Sequence, residues 1–206
     1  MMGKVLFMRK GETHTAPVKG LPSGFTKLAY IQSSGTQYIN TGFKPNQNTR
    51  VVVDMQLTDS TLEQTPFLAR TASKENSFGI FLQSAGWTVD YGTLRLNFSS
   101  KITATERLSL DFDKTKVTMN GEMLTFSAQE FLAPVNLFLF ARNTNGTLNY
   151  YAIAKLYFCR IYDNGTLVRD FVPCINASGE VGLYDLVTQA FYGNDGTGTF
   201  TGSEVA

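Results

Sequence analysis

The sequence predicts an all-β domain in which two antiparallel sheets pack as a sandwich, and three observations carry that reading. Apolar and polar residues alternate along most of the chain, as they do on half-buried strands. Three Asn-Gly pairs, at 120–121, 145–146 and 164–165, each separate two such runs. Residues that tolerate positive φ at both central positions suit the tight hairpin turn whose twist matches its strands. Only Ser127 to Leu132 reads as helical, with Ser127 as a cap, so helix is at most a connection.

The strands follow in order. Val51, Val53, Met55 and Leu57 make one face of a strand, and Leu94 to Phe98 and Leu108 to Phe112 repeat the alternation. Lys116 to Met119 and Met123 to Phe126 flank the first Asn-Gly turn, and Asp113 to Lys116 reads as a turn of its own. Val135 to Ala141, Tyr150 to Tyr162 and Thr166 to Val172 complete the series. About a dozen short strands with turns at regular intervals imply a two-sheet sandwich and not a parallel α/β sheet.

The chain has 206 residues and a mass of 22.8 kDa, which suits one domain of residues 21–206 plus a short appendage. A domain of this size buries about 70% of its unfolded surface, so it needs neither disulfides nor metal to hold together. Met1 to Gly20 differ from the rest, being polar and broken by Gly and Pro from Lys10 to Pro17. They read as an N-terminal arm with one short strand at Lys4 to Met8, either a disordered leader or a docking segment. Cys159 and Cys174 flank the Asn164-Gly165 turn. Simple hairpin register sets Cys159 opposite Asp170 and Cys174 opposite Lys155, so the pair reads as two buried thiols without a disulfide.

Eighteen Lys and Arg balance seventeen Asp and Glu, and the basic residues form no runs. A nucleic-acid partner needs a clustered cationic footprint, and a membrane surface asks for the same, so neither is expected. The start of the chain has too few apolar residues before Arg9 for a signal peptide, and Leu137 to Ala141 is far too short to span a bilayer. Assembly in a cytoplasm is the expectation. The sequons at Asn97, Asn145, Asn164 and Asn176 then read as turn chemistry and not as glycosylation sites.

Catalytic patterns are absent. His14 is the sole histidine and lies in the arm, a poor platform for a nucleophile and its base. No Cys-x-x-Cys pair, histidine cluster or phosphate-binding glycine loop occurs. The closest acid pair, Asp111 and Asp113, runs into a turn and reads as a solvated strand end. For binding, Ser84 to Gly92 stands out, because it sets Trp87 near Asp90 and Tyr91 between glycines. A sugar stacks its C–H face on an aromatic ring while polar groups take its hydroxyls, and Arg70, Asn97 and Asn143 are candidates to converge there. The alternative for Trp87 is an ordinary place in the core.

Two stretches carry a family resemblance. Leu21-Pro22-Ser23-Gly24-Phe25-Thr26-Lys27-Leu28 followed by Tyr30 to Gly42 resembles the opening of laminin G-like domains of tailed-phage structural proteins and gut-bacterial surface proteins. Tyr162 to Pro173, Gly182-Leu183-Tyr184-Asp185, Phe191-Tyr192-Gly193 and Gly196-Thr197-Gly198-Thr199-Phe200 resemble their ending. The resemblance covers about Leu21 to Gly202 and implies a concanavalin A-like jelly-roll sandwich whose first and last strands pair. The leader Gly3 to Gly11 is similar to that of phage virion proteins. Glucanases of the same fold carry Glu-x-Asp-x-Glu on one strand, and this chain has no such string. Some laminin G-like domains hold calcium, for which Asp90, Asn97 and Asn143 are candidate ligands and no other cofactor is expected.

These readings converge on a non-enzymatic virion protein, a tail or baseplate adhesin or a capsid-decoration or head-fibre subunit, that presents a lectin-like domain to host-surface glycans. Other virion proteins, met through the arm, and further copies of the chain are the expected partners. A structural module that only bridges neighbouring subunits is the rival reading. A glycoside hydrolase or lyase lacks its paired acids.

Overall fold

A computed structural model describes residues 20–61, 63–99 and 103–205. The expected arm, with the short strand expected at Lys4 to Met8 and with His14, lies outside the described residues except for Gly20. Among the described residues the chain is all β, with no helix. Its strands are β1 (Phe25–Gln32), β2 (Ile39–Asn40), β3 (Thr49–Leu57), β4 (Gln64–Arg70), β5 (Ser77–Gln83), β6 (Gly86–Gly92) and β7 (Leu94–Asn97). They continue with β8 (Arg107–Asp113), β9 (Lys116–Met119), β10 (Glu122–Thr125), β11 (Phe138–Leu139), β12 (Arg142–Thr144) and β13 (Thr147–Asn149). The last are β14 (Ala154–Asp163), β15 (Thr166–Asn176), β16 (Val181–Asp185), β17 (Ala190–Tyr192) and β18 (Thr201–Glu204).

They form two sheets. The larger runs β10-β9-β8-β3-β14-β1-β15-β16-β17, with β18 paired to β1, and the smaller runs β13-β12-β4-β5-β6-β7, with β11 paired to β4 and β2 to β11. Every pairing is antiparallel except β12 with β4. The two ends of the domain meet, since β18 pairs with β1 from Leu28 to Gln32. Inward residues of β3, Val51, Val53, Met55 and Leu57, share one core with Phe67, Ala69, Phe78, Ile80, Trp87, Val89 and Tyr91 of the smaller sheet. Phe78 stacks on Phe112 of the larger sheet at 4.2 Å between centroids, so aromatic contact joins the two layers.

The three Asn-Gly turns are as expected. Asn120, Asn145 and Asn164 have φ of 48°, 49° and 47°, and the glycines after them 86°, 88° and 82°. Two successive residues at positive φ twist with the strands they join, and Asn and Gly carry the lowest steric cost there.

Two expectations are corrected. Ser127 to Leu132 form no helix; their backbone bonds outward, with Phe131 C=O accepting from Gln47 N–H and Ala133 N–H donating to Pro45 C=O. The burial of Phe131 and its contact with Tyr91 favour this extended course. A bulge at Ile161/Tyr162 shifts the β14–β15 register, so Cys159 faces Phe171, and Cys174 faces Gly182 on the other side of β15. Both thiols are free and buried, and burial pushes the Cys174 thiol up to about 12. Finally, β4, β5 and β6 were not legible as strands. They are buried along nearly their whole length, so they lack the polar half of the alternation.

Gly165→Val is expected to lower stability by about 1–3 kcal/mol, because a β-branched residue is then held at positive φ. A thermal melt checks this, and an unmoved midpoint contradicts the turn geometry.

Candidate functional site

Strand register decides where the candidate residues go. In β6, Trp87, Val89 and Tyr91 point into the core, while Thr88 and Asp90 point to the outer face of the smaller sheet, because successive side chains alternate. Trp87 is 1% exposed, and its Nε1–H meets no acceptor among the described residues. It is therefore a core residue and no stacking platform for a sugar. Tyr91 is buried too, its hydroxyl donating to Gln47 C=O at 3.0 Å and its ring edge-on to Phe131. Asn143 braces the β12–β13 turn, its Oδ1 accepting from Gly146 N–H at 3.0 Å and its Nδ2 donating to Asn136 C=O.

Arg70 and Asp90 do come together, at 3.9 Å. Asn97 lies on the same face, exposed, and accepts from the Thr88 hydroxyl at 2.9 Å. Both Asp90 oxygens receive the Arg95 fork, at 2.6 and 2.7 Å. Asp90, Asn97 and Asn143 thus turn their oxygens to three different partners, and this arrangement does not fit a calcium cage. Among the described residues no group of three His, Cys, Asp or Glu is placed to hold a metal.

The outer face of the smaller sheet has its own organisation. Arg142, Leu68, Gly79, Asp90 and Arg95 form one cross-strand row over five strands. Arg70 lies in the next row beside Thr144, whose hydroxyl accepts from its Nε at 2.9 Å. Gly79 is required in the middle, since a Cβ there would stand 2.6 Å from Leu68 Cα. Phe81 on the same face has the guanidinium carbons of Arg95 and Arg142 each 4.9 Å from its centroid, and Tyr150 lies over Arg142 at 4.0 Å. Such rings stabilise a cation through their negative faces. Burial, with Arg70 next, brings Arg142 down to about 10. Burial also lowers Arg70, while the hydrogen bond that Arg95 donates to Asp90 raises Arg95. Arg95, Arg142, Phe81 and Tyr150 have no local signature in the sequence, since only the sheet register brings them together.

An open groove lies where the two ends of the domain meet. Thr36, Tyr38, Leu148, Tyr151, Asp195, Gly196 and Thr197 line about 400 Å³. Residues 36–40 and 195–197 are zipped together here. Thr36 Oγ1–H donates to Thr197 C=O at 2.9 Å, Asp195 N–H to Tyr38 C=O at 3.0 Å, and Asn40 N–H to Asp195 Oδ2 at 3.0 Å. Gly196 is in place because a Cβ would run into the Thr36 carbonyl. Tyr38 packs on Phe138 at 4.9 Å and stands 6.3 Å from Tyr151. Burial first, then Asp195 and Tyr151, push the Tyr38 phenol up, so it stays a hydrogen-bond donor at neutral pH. The acid pair Asp111 and Asp113 builds no second site, for Arg50 holds Asp111 by two bonds of 2.8 and 2.7 Å.

Trp87→Ala is expected to cost about 3–5 kcal/mol by melting, as for any buried large aromatic, while Trp87→Phe keeps most of the area, drops the unpaired donor and costs far less. Asp90→Ala strips the arginines of their buried counter-charge and is expected to cost about 3–5 kcal/mol. Asp111→Ala, at a half-exposed pair, is expected to stay within about 1 kcal/mol. Equal costs for the two Asp variants in chemical denaturation contradict the buried clamp.

Compared with known proteins, no family model and no curated protein matches this chain, so its site is described by its own residues.

Proposed function

We propose that this chain is a non-enzymatic structural protein of a tailed-phage virion whose concanavalin A-like, laminin G-like jelly-roll domain binds host-surface glycans in the groove between Tyr38 and Tyr151. The observation that carries the glycan part is the groove itself, with two half-buried tyrosines beside Asp195, Thr36 and Thr197. Tyrosine faces suit the C–H side of a sugar, and Asp195, Thr36 and Thr197 offer acceptors and donors for its hydroxyls. Asp195 is the one carboxylate lining the groove among the described residues. Glycoside hydrolysis ordinarily needs two, one to protonate the leaving oxygen and one to attack or activate water. Binding without turnover is what this set of groups can do.

The virion part rests on the resemblance of the two end motifs. The pairing of β1 with β18 supports it, because a jelly roll of that family joins its first and last strands. A shallow, wet groove recovers little free energy after desolvation, so each site binds weakly. Several copies in a fibre or a capsid array supply avidity through effective concentration. Adhesins of the tail or baseplate and decorations of the head both present such arrays.

A glycan array probed with the whole chain in multimeric display tests the reading. Binding of defined glycans is expected, with at least a tenfold loss in Tyr151→Ala at a nearly unchanged melting temperature, and the glycans are expected back intact. An array without signal overturns the glycan reading and favours a module that only bridges subunits. Shortened glycans overturn the non-enzymatic part.

A further inference from the structure

Arginines of the two sheets are balanced differently. On the larger sheet each arginine has its own carboxylate: Arg50 with Asp111 at 2.7 Å, Arg107 with Asp54 at 2.7 Å, Arg160 with Asp170 at 3.0 Å and Arg169 with Asp185 at 3.7 Å. On the outer face of the smaller sheet Arg70 and Arg95 share the one carboxylate of Asp90, and Arg142 makes no ion pair among the described residues. Glu63 adds a more distant negative charge, but it is exposed and makes no ion pair among the described residues. Arg95 takes both Asp90 oxygens at hydrogen-bonding distance. That leaves Arg142, 5% exposed, whose Nε and Nη2 have no acceptor among the described residues.

A buried guanidinium with unmet donors is costly, since its loss of hydration is not offset by a partner. Such a group persists where an acceptor completes it, and the planar fork fits two oxygens of one oxyanion. Phe81 already lies against the guanidinium of Arg142, so little rotamer freedom remains to be lost on binding. Tyr150 is 41% exposed and is held at a φ of 54°. Its ring lies against the Arg142 guanidinium at 4.0 Å.

We propose that the Arg142–Arg70 corner of this face is a binding site for an oxyanion group, a carboxylate or a sulfate ester carried on a saccharide, with Tyr150 as its movable cover. The oxyanion accepts from Arg142 Nε and Nη2 and is attracted by the Arg70 charge. No bond is made or broken. The site is separate from the tyrosine groove and does not depend on it. Tyr150 and Tyr151 are chain neighbours that serve the two sites in turn, and only the identity of the carrier as a sugar rests on the glycan reading. Acidic surface polysaccharides, uronate-bearing or sulfated, are the class that fits.

The side-chain Nε–H resonances of arginine read the site directly in the whole protein. Sodium glucuronate, sodium sulfate and neutral methyl glucoside are titrated at constant ionic strength set with sodium chloride. The Arg142 peak is assigned by its loss in Arg142→Gln. Saturable movement of the Arg142 and Arg70 peaks with glucuronate or sulfate, and none with methyl glucoside, is expected. The stronger of the two responses tells whether a carboxylate or a sulfate ester is the natural group. Tyr150→Ala keeps every arginine and is expected to bind at least as tightly as the parent. Arg70→Gln, which removes the charge and keeps Arg142, is expected to weaken binding at least threefold even if Arg142→Gln does not fold. Peaks that stay still with both anions, or that move equally with sodium chloride, overturn the proposal. Binding of glucuronate here while the glycan array stays silent leaves this site standing and removes only the groove.

Discussion

A strand in the middle of the smaller sheet has no solvent face, and most of what the molecule offers a ligand follows from that constraint. β4, β5 and β6 bury one side against the common core and the other under arginines, Phe81 and Leu68. Any polar group placed on that outer side must find a partner within the protein, because the penalty for an unpaired buried charge is several kcal/mol. Asp90 meets the demand with the Arg95 fork. Thr88 turns to Asn97, and Arg70 turns to Thr144. Arg142 is held by rings alone through its plane and keeps its edge donors free.

The larger sheet shows the opposite solution. Its outer side carries arginine–aspartate pairs that are each closed on themselves, with Arg107 also lying 3.6 Å over the Tyr157 ring. Self-satisfied, partly hydrated pairs of this kind contribute little to stability. They also leave no donor in want of an acceptor. The two sheets therefore divide the work: one side covers the core, and the other side, with the loops at its edge, holds the groups that can recognise something.

The parts of the fold that were legible in the sequence are those with one wet face. β3 and β8 alternate cleanly, and Asn120-Gly121, Asn145-Gly146 and Asn164-Gly165 sit at positive φ as their chemistry requires. Residues 77–83 and 86–92 alternate in space but not in polarity, since Phe81 and Thr88 are as buried as Ile80 and Val89. Grouping Trp87 with Asp90 and Tyr91 as one surface fails for the same reason, because odd and even positions of a strand face opposite ways. Arg70 and Asp90 were found as candidates but not their partners Arg95 and Arg142, which only register brings near. The groove is different again. Thr36 and Tyr38 belong to the opening motif and Gly196 and Thr197 to the closing one, yet nothing in either motif alone shows that backbone hydrogen bonds bring them face to face.

On the proposed reading, recognition occurs at the edge of the smaller sheet, where residues 36–40, residues 194–198 and the segment from Leu148 to Tyr151 meet. Hydrogen–deuterium exchange of the whole chain, with and without polysaccharide released from bacterial surfaces, tests it most directly. The expected result is ligand-dependent protection in peptides covering residues 36–40, 147–152 and 194–198, with the β8–β10 hairpins unchanged. Protection confined to those hairpins, or to the outer side of β3 and β14, would contradict it.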